Sequence, residues 1–374
     1  MDLDPTDEQQ ALAEALGGLL EKRYEPRARL DLLGTERGWS EPVWRQYADM
    51  GLLGLTFDEQ YDGAGMGTAE LATVMEQFGR ALVLEPFIAT VVLGGALVAA
   101  AGTPEQKAEI LPAVAAGTLQ LAFAWAEPAA RWSVSAITTT ATETDGTWTV
   151  TGEKSDVLGG DSADRIVVSA LLPAGGVGLF LVDAADVQRS SHAQQDGLRA
   201  ADVLLASAPA VPLGATAADA LAVIDEVVDV AVAMLCSEAV GAIDRMLWLT
   251  VDYLKTRVQF GTPISVFQAL QFRASDMYVS LEQARSMALM AQLALDGDDP
   301  AERRRAVRAA KVQIDLSAKH VGQEAIQLHG GIGMTMEYPV GHYVKRTAVI
   351  AKTFDDTDGL LVTVGEGAGL IPSA

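Results

Sequence analysis

The chain has 374 residues, 49% of them hydrophobic and 21% charged, with a formal net charge of −23. That length suits two or three domains with sizeable cores, and the acidity excludes nucleic acid and anionic membrane surfaces as expected partners. The single cysteine, Cys236, excludes an internal disulfide and a cysteine-ligated metal cluster.

The opening segment MDLDPTDEQQ is acidic and does not resemble a secretory or mitochondrial leader, so a cytoplasmic location is expected. No apolar stretch reads as a membrane span. Thr6, with Glu8 and Gln9 in the first turn and leucines at 12, 16, 19 and 20, predicts a capped helix to Tyr24. A second helical pattern covers Glu41 to Met50 and ends at Gly51–Gly54. The segment YDGAGMG, Tyr61 to Gly67, then precedes a helical Thr68 to Arg80. Were Leu52 to Phe57 a strand, these glycines and Glu85 would mimic a dinucleotide-binding turn. A long helical run, Ile88 to Ala101, follows instead of a second strand, which argues against that reading.

Thr103-Pro104-Glu105 opens another helix, to Ala116. From Leu119 the periodicity becomes alternating, with strands expected at 137–141, 148–151, 165–172 and 178–182. From Ala217 four or five long helices return. Helices, then strands, then helices in blocks predict an α+β chain: an all-α domain over 1–118, a β domain over 119–215 and a helical domain over 216–374.

Between the helical patterns Ala222 to Lys255 and Leu270 to Leu295 lies RVQFGTPISVFQALQFRASD, Arg257 to Asp276. Gly261-Thr262-Pro263 stops the first helix, and the turn holds Arg257 and Gln268 near one place. An arginine fork there suits a diphosphate, although a solvated helix-ending arginine accounts for it as well.

The string RVQFGTPISVFQ resembles the R-x-Q-F-G-x-x-I-x-x-F-Q signature of acyl-CoA dehydrogenases. QLHGGIG, Gln327 to Gly333, resembles that family's Q-x-x-G-G-x-G segment at the expected distance. Ala126-Glu127-Pro128 and Thr151-Gly152-Glu153-Lys154 resemble its T-E-P and N-G-x-K pair. The match in order and spacing runs from about Leu3 to Leu361. Thr250 to Met287 most resembles the small subunit of pimeloyl-CoA-dehydrogenase-type enzymes, which work as two unlike chains.

The resemblance implies N-terminal helices, a middle β-barrel-like domain and a C-terminal four-helix bundle. It also implies FAD, an acyl-CoA substrate, an electron-transfer flavoprotein or similar acceptor, and a related partner subunit or a homotetramer. In such enzymes a carboxylate removes the α-proton while the β-hydrogen leaves as hydride to the flavin. The implied cofactor residues are Arg257, Gln259, Phe260, Phe267, Gln268, Gln327, Gly330, Gly331 and Thr357. Most of these correspond to residues that reach across a dimer interface to the diphosphate and adenine of the neighbouring chain's FAD.

The family's Tyr-Glu-Gly-Thr base segment becomes Phe354-Asp355-Asp356-Thr357, making Asp355 the first candidate base and Asp356 the second. A helix N-cap ahead of Thr357 to Gly365 is the competing reading. A second family location for the base falls on Ala231, which cannot act. Other departures are Ala126 for the flavin-facing threonine, Trp132 for a serine, Asp156-Val157-Leu158 for W-x-T, and Val232 for a CoA-holding arginine. The companion of that arginine survives as Asp229, the candidate substrate-binding residue. Gly330 and Gly331 read as a close approach of backbone to cofactor, or as a helix C-cap. His329 lacks partners at metal-ligand spacing. Lys345-Arg346 and Arg303–Arg305 read as solvated helix faces that could meet the CoA phosphate.

The retained motifs are the half of the site that is donated, and the altered ones the half that is received. Three expectations follow: a heterotetramer subunit completing a partner's flavin site, a self-sufficient homotetramer with Asp355 as base, or a flavin-free scaffold.

Overall fold

A computed structural model describes residues 4–130, 134–367 and 369, so Trp132 lies outside the described residues. The chain divides into two compact units. One gathers residues up to Asp31, Thr68–Val83 and everything from Val232; the other gathers Leu32–Gly67 and Leu84–Ala231.

The first unit is helical. Helix α1 (Asp7–Arg23) starts on a capping box in which the Thr6 hydroxyl accepts from Gln9 N at 3.2 Å and the Gln9 amide oxygen accepts from Thr6 N at 3.0 Å. A short helix, α2 (Pro26–Leu33), and α3 (Glu41–Asp49) follow, and α4 (Thr68–Ala81) returns the chain to this unit. There α4 crosses α7 (Leu221–Thr256) through two glycines. A Cβ on Gly79 would sit 1.8 Å from Glu238 O, and one on Gly241 would sit 2.0 Å from Glu76 O, so only glycine lets these backbones touch. Beside the crossing, Glu238 is buried and accepts two hydrogen bonds from Arg346, at 2.5 and 2.7 Å. Arg346 is therefore not on a solvated face: a buried carboxylate draws it inward.

Helices α8 (Gln268–Leu295), α9 (Pro300–His329), α10 (Val340–Ile350) and α11 (Thr357–Gly367) complete the unit. Among the described residues no helix is long and apolar enough to cross a membrane.

In the second unit, Ile88–Gly95 forms a π-helical stretch continuing into α5 (Ala96–Ala101), and α6 (Pro104–Ala115) follows. The wide turns carry Thr90 onto the first strand, β1 (Leu121–Ala124): its hydroxyl donates to Leu121 O at 3.0 Å and accepts from Leu121 N at 3.3 Å. The remaining strands are β2 (Thr140–Thr144), β3 (Thr147–Leu158), β4 (Arg165–Leu171), β5 (Val177–Asp183), β6 (Gln188–Ala193) and β7 (Arg199–Pro212). Pairing runs β4–β2–β3–β7–β5 and back to β4, which closes a barrel; β1 lies parallel to β4 and β6 pairs with β7. Val150, Ile166, Val168, Phe180, Val203 and Leu205 fill it. The strands β6 and β7 escaped the periodicity reading because QRSSHA is polar and β7 is rich in alanine, both weak strand formers. Leu52–Gly54 is a single helical turn, so the YDGAGMG glycines follow no strand.

Candidate functional site

The end of α7 leads directly into the signature. Arg257 N donates to Tyr253 O at 2.8 Å, and a two-residue hairpin follows, pairing β8 (Val258–Gln259) with β9 (Thr262–Pro263). Its turn residues, Phe260 and Gly261, have φ of 55° and 81°, as a type I′ turn requires. Glycine takes that region freely; an aromatic does so only under constraint. Phe260 is also 92% exposed, and its ring meets Phe267 edge-on at 6.1 Å. Ile264 N closes the loop on Arg257 O at 2.9 Å. The Arg257 guanidinium and the Gln268 amide are exposed and have no partner among the described residues, while the Gln259 amide donates to Val258 O at 2.8 Å.

Gln327, Gly330 and Gly331 sit at the other contributing end, the terminus of α9. Gly330, at φ 62°, caps the helix by donating its N–H to Gln327 O and Ile326 O. Gly331 is exposed, and a Cβ on it would meet nothing within 4 Å, so its backbone is open to approach. Before them, His329 is buried and both ring nitrogens are engaged. Its Nδ1 lies 2.7 Å from Ala325 O, an acceptor only, so Nδ1 carries the proton and Nε2 accepts from Tyr338 Oη at 3.0 Å. Burial pushes the His329 pKa below the usual histidine value, against the carbonyls of Ala325 and Leu249. The ring also packs on Tyr253, centroids 4.5 Å apart. Since Tyr253 is one turn before Arg257, the structure brings the hairpin and the glycine turn together.

The base candidates lie elsewhere, in the segment between α10 and α11, packed against the middle of α9 through Thr357. Asp355 Oδ1 accepts from Asp356 N at 2.8 Å, and Asp356 Oδ1 accepts from Gly359 N at 2.8 Å, the bond of a helix N-cap for α11. Thr357 Oγ1 donates to Asp315 Oδ2 at 3.2 Å, and Lys311 Nζ donates to the same oxygen at 3.0 Å and to Ile350 O at 2.9 Å. The Thr357 hydroxyl is thus engaged inside the bundle. Burial raises the Asp315 pKa, with Lys311 and Thr357 opposing it. Asp315 and His329 are fourteen positions apart on α9, about 21 Å at a helical rise. The Asp355 segment and the Arg257 edge are anchored to well-separated parts of one helix.

In the barrel, the motif residues Glu127 and Lys154 form a buried ion pair at 2.9 Å. Glu127 also accepts from Thr138 N and Oγ1, both at 2.6 Å, and from Thr139 N at 3.1 Å. Burial alone would push Glu127 up, but these donors overcome it and hold the carboxyl at about 2. Burial pulls the Lys154 ammonium down to about 8, against the attraction of Glu127. The shifts have opposite energetic sign, yet both groups are charged at neutral pH.

Two residues on, Asp156 stands at φ 52°, its N–H donating to Asp202 Oδ1 at 2.9 Å. Its exposed carboxylate takes His192 Nε2 at 3.0 Å and Gln194 Nε2 at 2.9 Å. The hydrogen bond to Asp156 raises the His192 pKa despite partial burial. Val157 beside it is buried. Asp229 is buried on α7, and Ala231 and Val232 add only apolar surface.

The donor set at the Arg257 edge fits a dinucleotide cofactor: a guanidinium and a Gln268 amide without partners among the described residues, exposed aromatics and open backbone. The Asp156 edge does not fit an isoalloxazine ring, because a tethered carboxylate stands where the resembled family presents an aromatic and a hydroxyl. The sequence pointed to a turn at Gly261-Thr262-Pro263, not to a hairpin, and nothing in it pointed to the His329–Tyr338–Tyr253 contact or the Asp156–His192 pair.

Residues 6–118 match the N-terminal domain of acyl-CoA dehydrogenases and residues 221–353 match their C-terminal domain. Acyl-CoA dehydrogenase IpdE2 of Mycobacterium tuberculosis is 31% identical over 347 residues, covering 92% of each chain. The structure of a Tcur3481-Tcur3483 steroid ACAD variant superposes with a TM-score of 0.87 at 30% identity, over 97% of this chain and 99% of that one. The ChsE4-ChsE5 complex of Mycobacterium tuberculosis shares the fold, with a TM-score of 0.89 at 24% identity over the full length of both chains. The chain belongs to the acyl-CoA dehydrogenase family of FAD-binding oxidoreductases that act on CH–CH groups.

Proposed function

We propose that this chain is one subunit of an acyl-CoA dehydrogenase that desaturates an acyl-CoA thioester between its α and β carbons, completing the FAD site of an unlike, related partner in an α2β2 assembly. The observation that carries this reading is the division of its cofactor chemistry. Arg257 and Gln268 have no partner among the described residues and are exposed beside the exposed Phe260 ring, whereas Asp156 occupies the chain's own β-domain edge. FAD, when bound, supplies the hydride acceptor. Arg257 would hold the diphosphate, the Gln259, Gln268 and Gln327 amides would fix the nucleotide end, and Phe260 and Phe267 would shield it from water. Gly330 and Gly331 let main chain approach. Thr357 acts through its position at the head of α11, since its hydroxyl is engaged by Asp315. Asp229 is retained on the substrate side. The steroid ACAD among the similar structures supports a ring-bearing acyl group; an electron-transfer flavoprotein or similar acceptor and a cytoplasmic setting complete the proposal.

The decisive measurement is flavin per chain for the protein purified alone and after co-expression with its dehydrogenase-like partner. One flavin per pair, with an empty lone chain, is expected. A fully loaded lone chain would discard the reading in favour of a homotetramer.

The base is assigned to the partner, because Asp356 caps α11 and Asp355 is tied to the main chain beside it. Asp355→Asn in the complex should therefore keep kcat within about 2-fold. A loss of about 100- to 10,000-fold, the usual worth of a general base, would move the base to this chain.

A further inference from the structure

Accepting the donated-edge reading, we infer that His329 is a positioning residue: it locks the Arg257 hairpin and the Gly330–Gly331 turn into one cofactor-holding edge. These two parts come from the ends of α7 and α9, far apart in sequence, and a diphosphate clamp works only if they are held in register. A misplacement of about 1 Å is costly where hydrogen-bond geometry decides binding.

The contacts across that gap converge on one ring. On the α7 side, Tyr253 packs on His329 at 4.5 Å and 31°, and the Tyr253 carbonyl takes the Arg257 N–H. On the α9 side, His329 directly precedes Gly330 and is bonded through Nδ1 to Ala325 O. Tyr338, beyond the glycines, donates its hydroxyl to Nε2 and meets Tyr253 edge-on at 6.3 Å. The segment 330–338 is thereby closed into a loop whose base is the imidazole. Only a ring with a donor on one side and an acceptor on the other serves both bonds at once, and neutral histidine is that ring. His329 is buried, so it binds nothing itself and acts through Arg257 and the glycine backbone.

A double-mutant cycle for FAD binding to the deflavinated complex tests this, with the melting temperature of the apo complex measured alongside. Tyr338→Phe keeps the ring and deletes one neutral hydrogen bond, so the FAD Kd should rise about 2- to 10-fold with little change in melting. His329→Phe keeps the stack on Tyr253 and deletes both bonds, and should raise Kd further. In an Arg257→Ala background Tyr338→Phe should raise Kd by less, because one of the two groups it positions is gone. An unchanged Kd for both ring variants, or an equal increase in both backgrounds that tracks a fall in melting temperature, overturns the inference and leaves the donated edge standing. An Arg257→Ala complex with unchanged Kd overturns the donated edge and this inference together.

Discussion

Exchanging Lys154 for methionine should destabilise the barrel by about 3–5 kcal/mol, the usual cost of stranding one member of a buried ion pair. Lys154 is fully buried, and besides Glu127 its ammonium reaches Ser169 Oγ at 3.1 Å. Methionine fills the same volume, so the loss is electrostatic rather than a cavity. Adding Glu127→Gln should recover part of it, since an amide oxygen still accepts from Thr138 and Thr139 while no charge is left unpaired. The same pair sets an acid limit. A carboxyl at about 2 instead of 4.5 contributes on the order of 3 kcal/mol, present above pH 4.5 and lost as the pH falls through 2. Lys154 has the reverse sign: its lowered pKa is a cost at neutral pH, relieved only as the pH rises through about 8 toward its ordinary value. Hydrogen exchange of the barrel amides reads both effects, and unaltered protection in Lys154→Met would show that the pair contributes little.

What the sequence disclosed followed the range of the interactions. The helix starts at Thr6 and Thr103 were legible because each signal spans only a few residues. The turn after Arg257 was legible because Gly261, Thr262 and Pro263 are contiguous, whereas its closure as a hairpin was not. The closure of the barrel was not legible either, since β4 pairs with strands on both sides of it in the chain and β7 is rich in alanine, a weak strand former. Arg346 read as solvent-facing because its partner Glu238 lies 108 positions away. Nothing in the sequence marked Gly79 and Gly241, because the carbonyls that exclude a side chain belong to the opposite helix. Glu127 and Lys154 were visible as motif residues, but their mutual pairing depends on β3 crossing the barrel. The cap at Asp356 was one of two readings open from sequence, and the Gly359 N–H is the detail that shows it.

Arg257→Ala should raise the FAD Kd of the complex about 10- to 150-fold, the worth of charge-assisted hydrogen bonds to a diphosphate. Nothing within the described part of this chain depends on that guanidinium, so its loss should leave the apo melting temperature unchanged. Arg257→Lys should recover only part of the affinity, because an ammonium replaces the planar fork with a single point. The control is Asp156→Ala. Asp156 is exposed, and its carboxylate is already held by His192 and Gln194. If this chain holds no flavin of its own, removing that carboxylate leaves the Kd where it was. A weaker Kd in Asp156→Ala with none in Arg257→Ala would reverse the assignment, placing the cofactor on the barrel edge and making the hairpin a plain connection between two helices. The two residues differ in what remains for them to bind: Asp156 has spent its oxygens on its neighbours, and Arg257 presents all of its donors to whatever approaches.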